Sequence, residues 1–260
     1  MKNLYVNGCS HTYGHKDFLL GPLTCYKHND LIYEAFKSTT VWSSYIEGNF
    51  NKMFNHAMGG TGNSRLVRTT LDFLNNLKED EVNDWIVILQ FSYSNRYEYI
   101  NDAGIPVKLG FYIDDQGGEI VYEPEFNYDN TLYGIDNNFT ITDKDKETAV
   151  MLSKFKIALT SSVYERYEYF MNIVTITNIL KSRNINYLFS TVDAIDCLNF
   201  EKFDNNSIIK SVKQYIDMSK NITSPIHIPG ERDPCLHAGT KMNKDYADYI
   251  MQQLEHRGML

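Results

Sequence analysis

The sequence predicts a three-layer α/β/α fold, in which a short parallel sheet lies between two layers of helices. Short apolar segments alternate with helical patterns along the chain, which is typical of parallel sheets. One of these segments, residues 85–89, is a continuous apolar run, as expected for a strand that is buried on both faces. The length of 260 residues and the hydrophobic content of 43% are sufficient for one domain with a sizeable core.

The individual elements are predicted from the spacing of their apolar residues and from the turn residues between them. Strands are predicted at 4–6, 53–57, 85–89 and 186–190, and helices at 41–47, 66–77, 162–183 and 240–254. The long helix at 162–183 begins with a Ser and a Glu that fit a capping box. A helical sequence pattern also returns near Ala149, after a stretch rich in Asp, Asn, Gly and Tyr.

The stretch at about 99–150 is predicted to be an insertion in a single domain that spans residues 1–260. Short alternating pieces on either side of residues 115–118 predict a hairpin within it. Residues 101–148 hold 11 acidic and 3 basic residues, so this segment accounts for the whole net charge of −8. We expect this acidic segment to form a cap at the carboxyl edge of the sheet that disfavours anions. The alternatives are a solvated surface loop and an oligomer contact.

The composition argues against several classes of protein. The balance of 25 basic against 33 acidic residues argues against a nucleic-acid partner. No apolar run approaches the roughly 18 residues of a membrane span, and the N-terminus lacks the apolar run of a secretory signal. Four scattered cysteines are too few for a disulfide framework and fit reduced thiols. We therefore expect a cytoplasmic protein without a membrane span, of an oligomeric state that the composition does not predict.

Small and polar residues follow the predicted strands, where a parallel sheet places its functional groups. Ser10 follows the first strand and comes after Gly8, which permits a tight turn. Gly60 follows the second strand, with backbone N–H groups at the start of a helix, and His237 precedes the last helix at the same edge. A hydroxyl, an imidazole and fixed N–H donors are what hydrolysis by an activated serine requires.

These residues resemble the motif blocks of the SGNH/GDSL hydrolase superfamily of serine esterases. Residues 4–12 resemble the first block, with Cys9 where an Asp is common, and residues 55–60 resemble the second block, whose Gly donates an oxyanion N–H. His237 resembles the C-terminal block. The resemblance covers most of the chain outside roughly 99–150, and it implies the flavodoxin-like form of the α/β/α fold.

The resemblance implies that Ser10 is the nucleophile and that His237 is the general base. The backbone N–H groups of Ser10 and Gly60 would bind the oxyanion. The third block of the family reads Gly-x-Asn, whereas residues 90–92 of this chain are Gln-Phe-Ser. The third oxyanion donor is therefore expected to be Ser92, or Asn63 from the helix start.

The orienting partner of His237 is also left with two alternatives. The family's Asp stands three residues before the His, where this chain has Pro234, and Asp233 lies one residue further away. We expect either Asp233 or a backbone carbonyl to hold the imidazole in place.

The activity that the resemblance implies is hydrolysis of an ester, in particular removal of an acetyl or other short acyl group. The partner would be a carbohydrate or small-molecule ester, and no metal or organic cofactor is expected. The first alternative is a weakly active or inactive protein that keeps the fold for binding or assembly. A more distant one is an acyltransferase that uses the same acyl-enzyme.

Overall fold

The computed structural model describes the strands and helices that surround the carboxyl edge of a parallel sheet. The described residues are 1–9, 12, 41–57, 62–92, 96–100, 106–109, 142–159, 162–192, 206–230 and 240–260. The strands are β1 (Asn3–Asn7), β2 (Met53–Asn55), β3 (Trp85–Phe91), β4 (Tyr97–Ile100), β5 (Pro106–Leu109) and β6 (Asn186–Thr191). The helices are α1 (Trp42–Ile46), α2 (Asn63–Asn75), α3 (Asp143–Leu159), α4 (Ser162–Ser182), α5 (Ser207–Lys213) and α6 (Thr240–His256).

The main sheet is parallel throughout its described part. Within the described residues it has the order β2-β1-β3-β6, with Val6 level with Ile88 and Ile88 level with Leu188. Every residue of β3 is buried, because this strand has neighbours on both sides and helices above and below it. The strand order is that of the flavodoxin-like doubly wound fold, and it confirms the predicted fold class.

Two apolar cores lie on opposite faces of the sheet and explain the three layers. On one face, odd-numbered residues of β1 and β3, among them Tyr5 and Val87, pack against α2, α4 and α5. On the other face, even-numbered residues such as Val6 and Ile88 pack against α1 and α6. The alternation follows from the twofold period of a strand, which sends successive side chains to opposite faces.

The predicted strands and four of the predicted helices are confirmed, with their ends shifted by a few residues. The helix expected near Ala149 begins earlier, at Asp143, because Thr142 and Asp145 form a capping box. The Asp145 N–H donates to the Thr142 hydroxyl at 3.2 Å, and the Thr142 N–H donates to the Asp145 carboxylate at 3.0 Å. Helix α5 was not predicted, although the side chain of Asn206 caps its first turn.

The strands β4 and β5 form an antiparallel pair that follows β3 in sequence, and β5 lies within the acidic segment at 101–148. The pair is tied to α2 by Arg68, whose guanidinium makes two bonds of 2.9 and 2.8 Å to the Glu98 carboxylate. Bidentate pairs of this kind are directional, so this contact fixes the position of β4 against α2. The hairpin predicted around residues 115–118 lies outside the described residues.

The single-domain organisation with an insertion at about 99–150 stays a prediction. In the described part of the chain, no helix is both long and apolar enough to cross a membrane.

Candidate active site

The chain that leaves β1 makes a buried turn at the carboxyl edge of the sheet. Asn7, Gly8, Cys9 and Thr12 are buried, and the Thr12 N–H donates to the Cys9 carbonyl at 2.9 Å. We call the described residues 7–9 and 12 the β1 turn. Ser10 and His11 lie outside the described residues, but Cys9 before them and Thr12 after them are joined by this hydrogen bond.

Asn7 attaches the start of the β1 turn to helix α2. Its Oδ1 accepts from the Gly8 N–H at 2.9 Å, and its Nδ2 lies 2.8 Å from the Thr69 hydroxyl and 3.0 Å from the Thr70 hydroxyl. The side chain is completely buried, so these partners replace the water that an amide would otherwise need. Asn7 therefore fixes the direction in which the chain leaves the strand.

Gln90 of β3 holds the far end of the β1 turn from the opposite face of the sheet. Its Oε1 accepts from the Thr12 hydroxyl at 2.6 Å and lies 3.6 Å from the Cys9 thiol. Its Nε2 donates to the Ser224 hydroxyl at 3.4 Å. All four side chains are buried, so one amide on the central strand joins two separate loops.

The close approach of the β1 turn to β3 requires a residue without a side chain at position 8. A Cβ placed on Gly8 would stand 2.8 Å from the Cβ of Gln90 and 2.8 Å from the Thr12 hydroxyl oxygen. Carbon atoms in ordinary contact are 3.5–4.0 Å apart. The sequence predicts a tight turn at Gly8, and the structure shows that close packing on Gln90 also requires a glycine there.

Asn63 and Ser92, the two predicted alternatives for the third oxyanion donor, are in direct contact. The Asn63 Oδ1 accepts from the Ser92 N–H at 2.6 Å, and its Nδ2 donates to the Ser92 carbonyl at 3.3 Å. The Ser92 hydroxyl accepts from the Arg96 guanidinium at 3.1 Å. The N–H of Ser92 is thus occupied, whereas its hydroxyl hydrogen and the second Nδ2 hydrogen of Asn63 are not used in these bonds.

The segment after β2 also reaches the β1 turn. The Asn55 Nδ2 donates to the Thr12 carbonyl at 3.0 Å, and the Asn55 Oδ1 accepts from the Ala57 N–H at 3.0 Å. Next to it, the Arg65 guanidinium donates to the His56 carbonyl at 2.9 Å. These bonds place the end of β2 and the first turns of α2 beside the β1 turn, with Gly60 falling between them in sequence but outside the described residues.

The segment that carries Asp233 and His237 in sequence is described only at its two ends. Gly230 packs against Met242 of α6, where an added Cβ would stand 2.2 Å from the Met242 Cγ. Gly230 and Met242, which lie before and after residues 231–239 in sequence, are therefore close together. Ser224, six residues before Gly230, is the residue that contacts Gln90.

Burial controls the titration of Tyr5, whose phenol contacts Asn7 at the start of the β1 turn. Desolvation by burial raises the pKa of Tyr5 to about 12, even though its hydrogen bonds with Thr70 and Asn7 act in the opposite direction. The phenol is therefore neutral at ordinary pH and serves as a hydrogen-bonding partner of Asn7 at 3.1 Å. The described residues contain no group of three or more His, Cys, Asp and Glu side chains that could hold a metal ion.

Of the predicted site residues, Asn63 and Ser92 are described and are brought together, whereas Ser10, Gly60, Asp233 and His237 lie outside the described residues. Sequence reasoning missed Gln90 as a link between loops. A polar residue that ends an otherwise apolar strand was the available signal, because a buried amide needs partners. Arg96 contacts Ser92, and Glu98 pairs with Arg68.

The described residues thus define a doubly wound α/β protein whose polar groups converge at the carboxyl edge of its sheet. No family model and no curated protein sequence matches the chain. One similar solved structure is a carbohydrate esterase whose active site displays divergent catalytic and non-catalytic binding functions. It has 12% identity and a TM-score of 0.45 over 98% of this chain and 68% of that one.

A second similar structure is an acetyl xylan esterase from the rumen bacterium Butyrivibrio proteoclasticus, with 12% identity and a TM-score of 0.46. The match covers 98% of this chain and 64% of that one, so this chain spans less than two thirds of its length. With similarity this low, the activity of this chain has to be argued from its own residues.

Proposed function

We propose that the protein is a serine esterase that removes a short acyl group, such as acetyl, from a carbohydrate or small-molecule alcohol. The observation that carries the proposal is the β1 turn, which brackets Ser10 in sequence and is held by hydrogen bonds to α2 and to β3. A nucleophile has to be presented at a fixed position, and sites on rigid elements achieve this better than free loops.

In the proposed mechanism, Ser10 Oγ attacks the ester carbonyl while His237 accepts its proton. His237 then donates that proton to the oxygen of the leaving alcohol, and an acyl-enzyme on Ser10 remains. A water molecule attacks the acyl-enzyme with His237 as base, which releases the carboxylic acid and restores Ser10. Asp233, or a backbone carbonyl, would hold the imidazole in the tautomer that accepts the proton.

The oxyanion of the tetrahedral intermediate would be bound by the backbone N–H groups of Ser10 and Gly60. For the third donor, the contacts favour the Ser92 hydroxyl. Arg96 donates to its oxygen at 3.1 Å, which polarises the hydroxyl and strengthens its own donation. Asn63 would support Ser92 by fixing its backbone. Loss of one such donor typically costs about 3–4 kcal/mol in transition-state stabilisation.

The test compares turnover of p-nitrophenyl acetate by the wild type, Ser10→Ala and Ser182→Ala. Ser182 is an exposed serine at the end of α4, next to the start of β6 and so at the opposite edge of the sheet. We expect wild-type turnover in Ser182→Ala and loss of turnover in Ser10→Ala. Equal turnover in Ser10→Ala would disprove the serine assignment. A wild type without any esterase activity would favour a protein that uses the fold for binding or assembly.

A further inference from the structure

We propose that Gln90 is a positioning residue for the nucleophile, which it holds in place through Thr12 and the β1 turn. The inference rests on the proposed function, since it concerns how Ser10 is presented. Gln90 does not have to touch the substrate. It would act by fixing the backbone on both sides of Ser10 and the loop that leads towards His237.

Gln90 contacts residues on both sides of Ser10 in sequence. The bond from the Thr12 hydroxyl to the Gln90 amide is 2.6 Å long, and the Cys9 thiol lies 3.6 Å from the same oxygen. Cys9 and Thr12 flank the dipeptide that contains Ser10. A single side-chain oxygen therefore contacts the chain immediately before and shortly after the proposed nucleophile.

The strand that carries Gln90 is held on all sides. Gln90 lies in β3, the strand with β1 on one side and β6 on the other, and every residue of that strand is buried. Gly8 leaves room for the turn to lie directly on the Gln90 side chain. Hydrogen bonds are stronger where water is excluded, so the buried amide holds the turn firmly against a strand that is paired on both sides.

The nitrogen of the same Gln90 amide contacts a second segment of the chain. The Gln90 Nε2 donates to the Ser224 hydroxyl at 3.4 Å, and the chain continues from Ser224 to Gly230, which packs on Met242. Residues 231–239, which include Asp233 and His237, follow directly. Gln90 thus connects the segments that lead into the nucleophile and into the base.

A shift of about 1 Å in a catalytic group can cost about 100-fold in rate. Loss of the Gln90 link should therefore lower kcat by about 10- to 100-fold and leave KM nearly unchanged, because no substrate contact is removed. The variants are Thr12→Val, which keeps the shape and removes the hydroxyl, and Thr12→Ser, which keeps the hydroxyl. Thr177→Val is the matched control, since Thr177 is equally buried in α4 and donates only within its own helix.

The measurements are kcat and KM for p-nitrophenyl acetate and the rate constant of fluorophosphonate labelling. The kcat is calculated per labelled site. We expect the loss of kcat and slower labelling in Thr12→Val, recovery to within about threefold in Thr12→Ser, and wild-type values in Thr177→Val. Equal kcat per site in Thr12→Val and Thr177→Val would overturn the inference.

Ser224→Ala tests the same link if Thr12→Val does not fold. It removes the partner of the Gln90 Nε2 by a small change, and we expect a lower kcat at unchanged KM. An unchanged kcat in Ser224→Ala would then overturn the inference. If the wild-type protein shows no Ser10-dependent labelling or turnover, the proposed function and this inference are both overturned. If turnover depends on Ser10 but Thr12→Val or Ser224→Ala has the kcat of the wild type, only the role of Gln90 is overturned.

Discussion

The substitution Gly8→Ala tests how closely the β1 turn has to lie on β3. The added Cβ would stand 2.8 Å from the Gln90 Cβ, 2.8 Å from the Thr12 hydroxyl oxygen and 3.0 Å from the Gln90 carbonyl oxygen. Ordinary contacts of a Cβ begin at 3.4 Å, so the turn and the strand have to separate by about 0.6 Å. Neither side can move freely, because Asn7 ties the turn to α2 and Gln90 lies in the central strand.

The expected magnitudes follow from this overlap. Overpacking a buried contact typically costs about 1–3 kcal/mol, and we expect Gly8→Ala to lower the free energy of unfolding by about that amount. A displacement of roughly 0.6 Å at the turn should also lower kcat by about 10-fold or more at nearly unchanged KM. The loss of rate is predicted for the folded fraction of the protein and not only for the sample as a whole.

The assay is urea unfolding together with turnover of p-nitrophenyl acetate, normalised to the folded fraction. Gly48→Ala is the matched control, since a Cβ at Gly48 would have no atom within 4 Å. We expect Gly48→Ala to have the stability and kcat of the wild type. If Gly8→Ala matched Gly48→Ala in both quantities, the β1 turn would not be packed on β3 as described.

Three further predictions concern protonation and the contacts of the site. The kcat/KM should fall as pH drops through about 6.5, because His237 must be neutral to accept a proton; a flat profile from pH 5 to 8 would contradict this. Asn63→Asp should lower the free energy of unfolding by about 1–3 kcal/mol, since a carboxylate cannot donate to the Ser92 carbonyl, and urea midpoints at pH 7 measure this. Burial raises the pKa of Tyr246 above its value of about 10 in the unfolded chain. The stability that the neutral phenol contributes is therefore fully present below about pH 10 and is lost as the pH rises further. The decline in urea midpoint from pH 9 to 11 should therefore be shallower in Tyr246→Phe, and equal slopes would refute this.

The fold could be predicted because its signal is local and repeated. The alternation of strands and helices, and the fully apolar run that begins at Trp85, depend only on which faces are buried. The residues that escaped prediction depend on contacts between distant parts of the chain. Helix α5 is short, and its apolar residues Ile209 and Val212 join a core formed mainly by other elements. The pair β4–β5 reads as part of an acidic loop until its antiparallel register is seen.

The candidate site could be predicted only as a list of chemical groups. The residues Asn63 and Ser92 were both expected near the oxyanion, but as alternatives, because a sequence does not show that two groups bind each other. The sequence shows Gln90 only as the first residue of the Gln-Phe-Ser stretch that stands in place of the family's third block. Its amide partners lie 78 and 134 positions away along the chain, at Thr12 and Ser224, and no spacing rule links positions so distant.

The central claim, that Ser10 is the nucleophile, is tested most directly by labelling the wild-type protein with a fluorophosphonate and sequencing the modified peptide by mass spectrometry. Such probes react with an activated serine and not with ordinary surface hydroxyls, since only an adjacent base makes the hydroxyl a nucleophile. We predict one modified residue, Ser10, and no modification in Ser10→Ala or in His237→Ala. Modification of a different serine, or labelling that persists in Ser10→Ala, would contradict the claim.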